Sequence, residues 1–264
     1  MASTRSFLLE LDLPTSADAT YLRIHLHRLC RTVLFTPQGG DRVLELATYM
    51  QILPAVSVIR GYTEGVGNYL GPLGQTEHRR ATVTGRTVFE CEIDLFDVER
   101  DRFPYDDNCF DTVLACELLE HLNHDPMHML IEAHRVLKPG GALVLTTPNA
   151  ASWTSLHSIL TDTDNPYLFP HYPNPSKSQT EFGLRHVREF TADEVARLMT
   201  SAGFEVDTLL TEDVGDRGIR KWVEPALLHL GMPTVNRGEQ IYCLARKLPG
   251  ADQKCLPAFL YHLD

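Results

Sequence analysis

With 264 residues, 43% of them apolar, the chain is long enough to bury a sizeable core as one large α/β domain. The 24 Lys and Arg against 35 Asp and Glu leave a net charge of −11 without any basic run. That balance disfavours a nonspecific nucleic-acid or anionic-membrane surface, which needs clustered cations, and suits a neutral or cationic small-molecule partner. The six cysteines (Cys30, Cys91, Cys109, Cys116, Cys243, Cys255) show no CxxC pair or secreted-type framework, and read as reduced. No apolar run approaches membrane-spanning length, and the N-terminus lacks a leader pattern, so a cytoplasmic protein is expected.

In chain order, residues 1–18 read as a weakly patterned arm. Tyr21 to Phe35 carries Leu, Ile and Val at helical spacing, which gives an N-terminal helical extension over about residues 1–38. His25 and His27 fall on that helix without acidic neighbours and read as packed or solvated side chains. Arg42 to Ala47 is expected as the first core strand, with Glu45 near its end. A cofactor-binding turn would put glycines next, because only glycine lets backbone approach a ligand so closely. This sequence has Ala47-Thr48-Tyr49-Met50-Gln51 there, and Pro54 starts or kinks the following helix. Gly61 to Asn68 reads as the second strand, residues 70–84 as a loop, and Arg86 to Phe96 as the third strand. Asn68 can donate to and accept from a diol; it reads equally well as a turn residue before Gly71-Pro72.

The stretch Phe110 to Asn149 carries the most information. Phe110 to Ala115 is a buried strand ending in Cys116-Glu117, a helix follows Asp125-Pro126, and a turn at Lys138-Pro139-Gly140-Gly141 leads into a second buried strand, Ala142 to Thr147. Two apolar strands joined by a helix demand a parallel sheet covered on both faces, with ligands at the strands' carboxyl ends. This segment resembles the later half of class I S-adenosylmethionine-dependent methyltransferases, where a Leu-Lys-Pro-Gly-Gly turn enters the fifth strand. The resemblance implies a Rossmann-like fold, a doubly wound, mostly parallel seven-stranded sheet with helices on both faces, in a single domain over residues 1–264. It also implies S-adenosylmethionine as cofactor, near Glu45 and Ala47 on the first turn, Asn68 at the ribose, and Cys116 at the fourth strand's end. Glu99 and then Asp97, ahead of Phe103-Pro104-Tyr105, are the adenine-side positions. The glycine-free loop leaves two readings, a turn of different conformation or a degenerate domain that binds without catalysing. A nicotinamide enzyme is disfavoured because no GxGxxG follows the first strand.

Glu117-Leu118-Leu119-Glu120-His121 is the constellation of greatest chemical interest. On a helix, i, i+3 and i+4 share a face, so two carboxylates and an imidazole would converge as metal ligands; acids in a first turn opposing the helix dipole are the bland alternative. A second segment, His186-Val187-Arg188-Glu189-Phe190-Thr191, precedes a helix over Ala192 to Ala202. The pair is similar to motifs of the metal-dependent O-methyltransferases of ubiquinone biosynthesis, of the small-RNA 2′-O-methyltransferases, and of bacterial methyltransferases associated with surface polysaccharides. Carried over residue by residue, the resemblance implies Glu117, Glu120, His121 and His186 as ligands of a divalent ion, Mg²⁺ or Mn²⁺. His121 or His186 could instead serve as a general base without metal. His124 and His128 read as structural, since Asp125-Pro126 starts a new helix between them.

Past the fifth strand, Asn149 and Trp153 are expected in the acceptor pocket. The proline-rich residues 161–185 form a lid-like insert with Tyr167, His171 and Tyr172 as substrate contacts, or else a disordered segment. Gly203 to Thr211 and Gly238 to Arg246 read as the last strands, around a helix near Lys221 to Leu230, and the apolar tail Leu256 to Leu263 packs back or mediates a homodimer. The resulting expectation is an O-methyltransferase acting on a small-molecule or carbohydrate hydroxyl with an adjacent oxygen. The competing expectation is a methyltransferase-like scaffold without catalysis.

Overall fold

Apolar runs that alternate between two buried faces build the central sheet. The computed structural model describes residues 1–161, 186–214, 219–248 and 255–261. Its strands are β1 (Gly40–Leu46), β2 (Tyr62–Tyr69), β3 (Gln75–Val83), β4 (Arg86–Leu95), β5 (Phe110–Cys116), β6 (Leu137–Pro148), β7 (Phe204–Glu212) and β8 (Gln240–Lys247). They lie in the order β3-β4-β2-β1-β5-β6-β8-β7. The run from β4 to β6 is parallel, whereas β8 is antiparallel to both β6 and β7, and β3 to β4. Odd and even positions of β5 and β6 face opposite ways: Val113, Ala115, Leu143 and Leu145 join one core, Leu114 and Val144 the other.

Around the sheet lie α1 (Ala2–Glu10), α2 (Ser16–Phe35), α3 (Ile52–Val56), α4 (Pro126–Val136), α5 (Trp153–Thr161), α6 (Ala192–Ser201) and α7 (Ile219–His229). Leu22, Leu26, Leu29 and Val33 of α2 pack into the core with Val43 and Leu114, while Met127, Leu130 and Ala133 of α4 and Val195 and Leu198 of α6 fill the other. Each of α2, α4 and α6 starts where its cap dictates. Thr15 with Asp18 and Thr191 with Glu194 form reciprocal capping boxes, and Asp125 accepts from the Met127 and His128 amides ahead of Pro126.

The fold class stands, with three corrections. The sheet has eight strands rather than seven, because residues 75–83, expected as a loop, form β3. Thr84 and Gly85, at φ 49° and 75°, make the two-residue hairpin turn into β4. β3 is a solvated edge, so it lacks the apolar alternation that reveals a buried strand. Within the expected N-terminal helical extension, the weakly patterned arm is helical as α1 and the start of α2, with Leu11 between them bridging Val83 at the end of β3. The turn at Lys138–Gly141 is absorbed into β6 as an irregularity in its pairing with β5. All six cysteines are free, and no helix among the described residues is long and apolar enough to cross a membrane.

Candidate functional site

The carboxyl ends of the neighbouring strands β1 and β5 meet where the chain winds off to opposite sides, which is where doubly wound sheets bind ligands. The loop after β5 does not form the single helical face expected of it. Glu117 sits in the left-handed region at φ 52°, and only Leu119–His121 makes one 3₁₀ turn. Adjacent threonines at the end of β6 then separate the two glutamates. Thr146 Oγ1 donates to Glu117 Oε1 at 2.8 Å, and Thr147 Oγ1 donates to Glu120 Oε2 at 2.8 Å. Successive strand residues point to opposite faces, so Glu117 and Glu120 lie on opposite sides of the sheet. Glu117 is therefore not among the residues whose ligand atoms converge here. Glu117 accepts a second hydrogen bond from Gln240 Nε2 at 2.7 Å and pairs with Arg28 Nη1 at 3.3 Å. Arg28 comes from α2, is 4% exposed, and also donates to Tyr21 Oη at 2.7 Å.

Glu120, His121 and His186 are brought together. One potential ligand atom from each lies within 4.8 Å of the other two. The Glu120 side chain is fully buried, and among the described residues its Oε1 has no hydrogen-bond partner; it faces His121 Nε2 at 3.9 Å. Burial, reinforced by the charge of Glu117, pushes its carboxyl well above the ordinary range. The His186 segment is tied in by its backbone: the Val187 amide donates to the Glu120 carbonyl at 2.7 Å, and Phe190 forms a parallel bridge with Asn149. The His121 and His186 rings meet edge to face, with centroids 5.0 Å apart. His186 Nδ1 is 2.7 Å from Glu189 Oε1, and both side chains are buried. Glu189 is not among the expected site residues, although its spacing three residues past His186 is visible in the sequence. Arg28 and Gln240 carry no local signal at all.

On the cofactor side, the loop after β1 keeps backbone that glycine favours although it has none. Ala47 and Met50 lie at φ 55° and 61°. Ala47 donates its amide to Asn68 Oδ1 at 3.4 Å, and the loop lies so close over β2 that a Cβ on Gly67 would come within 2.7 Å of Thr48 Oγ1. Asn68 is turned inward: its Nδ2 is surrounded by the carbonyls of Tyr69, Asp94 and Phe96, so it clamps strand ends rather than offering a diol contact. Glu99 is spent in the same way, accepting from the Asn123, His124 and Asp125 amides at 3.0, 2.6 and 2.9 Å. Asp97 closes its own turn on the Glu99 amide at 2.9 Å. Both acids therefore shape the turn after β4 and the loop after β5 instead of pointing outward. Cys116 is half-buried at the end of β5, where burial pushes its thiol up. An exposed Tyr49 stands edge to face with Tyr69, centroids 5.8 Å apart, an aromatic pair at this mouth that the sequence does not single out.

Glu45 is buried, and burial raises its carboxyl from the usual 4.5 to about 8 while the Leu53 amide donates to Oε2 at 3.2 Å. Below pH 4.5 the folded and unfolded chains both hold this proton. Between 4.5 and 8 only the folded chain does, so stability falls as pH rises through that window, by roughly 5 kcal/mol in all. Glu45→Gln should flatten this slope and make the protein more stable than wild type at pH 9, measured by urea denaturation. Equal slopes for the two proteins between pH 5 and 9 would discount a buried, protonated Glu45.

The acceptor-side expectations are corrected in two places. Asn149 donates to the carbonyls of Asn236 and Gly238 at 3.0 and 2.7 Å and accepts from the Ala151 amide, so it anchors a loop. Trp153 packs with Val223 and Leu227 between α5 and α7. Tyr167, His171 and Tyr172 lie outside the described residues. His124 contacts Arg100, and His128 Nε2 is 2.9 Å from the Asp101 carbonyl, so both serve the local structure.

Comparison with known proteins agrees with this fold. The family described as "Methyltransferase domain" matches residues 26–209, more than half of the chain. A probable S-adenosylmethionine-dependent methyltransferase of Mycolicibacterium smegmatis is 30% identical over 107 residues, which are 40% of this chain and 33% of the relative. The mouse mitochondrial ubiquinone biosynthesis O-methyltransferase is 50% identical over 42 residues, 16% of this chain and 11% of that protein. The matches thus span a third or less of these relatives' length. Among solved structures, the putative methyltransferase seen in complex with a Haloferax volcanii methyltransferase activator superposes with a TM-score of 0.56 at 17% identity, covering 93% of this chain and 98% of that one.

Proposed function

The chain belongs to the methyltransferase-domain family, and from that premise we propose that it transfers a methyl group from S-adenosylmethionine to a hydroxyl oxygen, with a divalent cation held by Glu120, His121 and His186. The observation that carries this reading is the fully buried Glu120 carboxyl, whose Oε1 has no hydrogen-bond donor among the described residues and which clusters with two imidazoles. A cation would satisfy that oxygen, and one carboxylate with two imidazoles is a fitting donor set. With Glu117 held by Arg28, the nitrogen-rich set favours Mn²⁺ over Mg²⁺.

S-adenosylmethionine supplies an electrophilic methyl group, so the protein has to align an oxygen and lower the cost of its deprotonation. Amines need far less help of that kind, which favours a hydroxyl acceptor. A divalent cation at the three residues would acidify and fix such a hydroxyl, and an adjacent oxygen on a sugar, diol or phenol would add a second point of attachment. Glu189 orients the His186 ring through Nδ1, Thr147 fixes Glu120, and the buried surroundings exclude water. Ala47 and Met50 hold the cofactor-side turn in its left-handed form, and Tyr49 and Tyr69 offer an aromatic edge there.

A second reading is supported by the His186–Glu189 contact at 2.7 Å: a carboxylate-oriented imidazole can act as general base without metal. Calorimetry with S-adenosylmethionine, followed by methyl transfer to a panel of catechols and vicinal diols with Mn²⁺, Mg²⁺ or EDTA, separates the possibilities. Cofactor binding and turnover that is faster with Mn²⁺ than Mg²⁺ and abolished by EDTA are expected. Full turnover in EDTA would replace the cation with the base, and no cofactor binding at millimolar ligand would leave a scaffold.

A further inference from the structure

The last described segment, residues 255–261, touches both halves of the candidate site's framework. Hydrogen bonds from the Leu260 and Tyr261 amides to the Pro257 carbonyl, at 2.9 and 3.2 Å, fold it into a tight turn. One end reaches α6: the Cys255 amide donates to the Ser201 carbonyl at 3.0 Å, and the Arg197 guanidinium lies 4.1 Å from the centroid of the Phe259 ring. The other end reaches α4: Tyr261 Oη donates to Asp125 Oδ1 and accepts from the Met127 amide at 3.3 Å. Phe259, Leu260 and Tyr261 also pack against the core that α4 and α6 share.

These two anchor points are the ones that matter for the cluster. Asp125 caps α4 and ends the short loop that carries Glu120 and His121, while α6 begins directly after His186 and Glu189. Glu99 holds the 123–125 amides from the opposite side. We propose that residues 255–261 are a clasp, with Tyr261 and Phe259 as positioning residues that set Glu120 and His121 against His186. This rests on the reading of those three residues as a cation site. It assigns the tail a role within its own chain. Among the described residues, the tail's hydrogen bonds and ring contacts run to α4 and α6 and none to residues 47–51, so its loss should weaken the cation site far more than the loop after β1.

The test uses Tyr261→Phe and Phe259→Ala in the 264-residue chain, with Mn²⁺ alone as the metal probe, followed by electron paramagnetic resonance, and S-adenosylmethionine by calorimetry. Both variants should bind Mn²⁺ at least tenfold more weakly than wild type, with the S-adenosylmethionine Kd within twofold. A purely stabilising tail would instead weaken both ligands together and lower the thermal midpoint in step, and that result would overturn the clasp. Glu120→Gln is measured alongside. If it loses Mn²⁺ while the tail variants match wild type, the clasp alone fails. If wild type binds no Mn²⁺, or Glu120→Gln still binds it, the cation site fails and the clasp with it.

Discussion

Arg28→Ala should be the most destabilising single change outside the apolar core, by about 3–5 kcal/mol, because it leaves the Glu117 carboxylate without its cation. Burial disfavours the guanidinium's charge, yet Glu117 and then Tyr21 hold it firmly protonated. Glu117 keeps Thr146 and Gln240 when Arg28 is lost, which places the cost toward the lower end of that range. For a chain of this length the thermal midpoint should fall on the order of 10 °C. Removing both charges, as Arg28→Met with Glu117→Gln, should recover most of the loss, because two desolvated ions are then replaced by groups with no charge to bury. If the single and double variants melt together, the pair is not what holds α2 against the end of β5. The same experiment bears on the cation site. Glu117 lies across the sheet from Glu120, so Arg28→Met with Glu117→Gln should leave Mn²⁺ affinity largely intact, whereas a four-ligand site would lose it.

What the sequence discloses follows from how each feature is encoded. β5 and β6 are legible because strands buried on both faces must be nearly all apolar, and α4 because Asp125-Pro126 is a start signal with a mechanism. β3 is not, since an exposed edge strand is polar and only its pairing with β4 makes it a strand. The His186–Thr191 segment lies beside Glu120, as the resemblance implies, and its geometry adds Glu189. Glu117 is the residue that spacing misplaces. A five-residue spacing fixes a face only if the backbone is helical throughout, and one left-handed residue at φ 52° sends its side chain across the sheet to Arg28. Asn68, Glu99 and Asn149 mislead for a related reason. Polar side chains at strand ends are as often needed to satisfy loop backbone as to meet a ligand, and the sequence does not say which carbonyls and amides will be left unpaired.

His186→Ala and Glu120→Gln should each lower methyl transfer by about 10²–10⁴-fold, and Glu189→Gln by about 10–100-fold, with the S-adenosylmethionine Kd unchanged in all three. The ranking follows from position. Glu120 and His186 belong to the cluster whose ligand atoms lie within 4.8 Å of one another, while Glu189 touches the ring of His186 from behind at 2.7 Å. Glu189→Gln keeps the shape of that side chain and can still meet Nδ1, but it removes the negative charge that makes the imidazole a better ligand or base. Which of those two roles is lost can be read from one comparison. If His186 holds a cation, Glu189→Gln weakens Mn²⁺ binding by the same factor as the rate, and added Mn²⁺ restores part of the activity. If His186 is a metal-free base, the Glu189→Gln rate falls equally in EDTA and in Mn²⁺, and added Mn²⁺ restores nothing. Wild-type rates in His186→Ala and Glu120→Gln would remove this cluster from the reaction altogether and return the search to the mouth formed by Tyr49 and Tyr69.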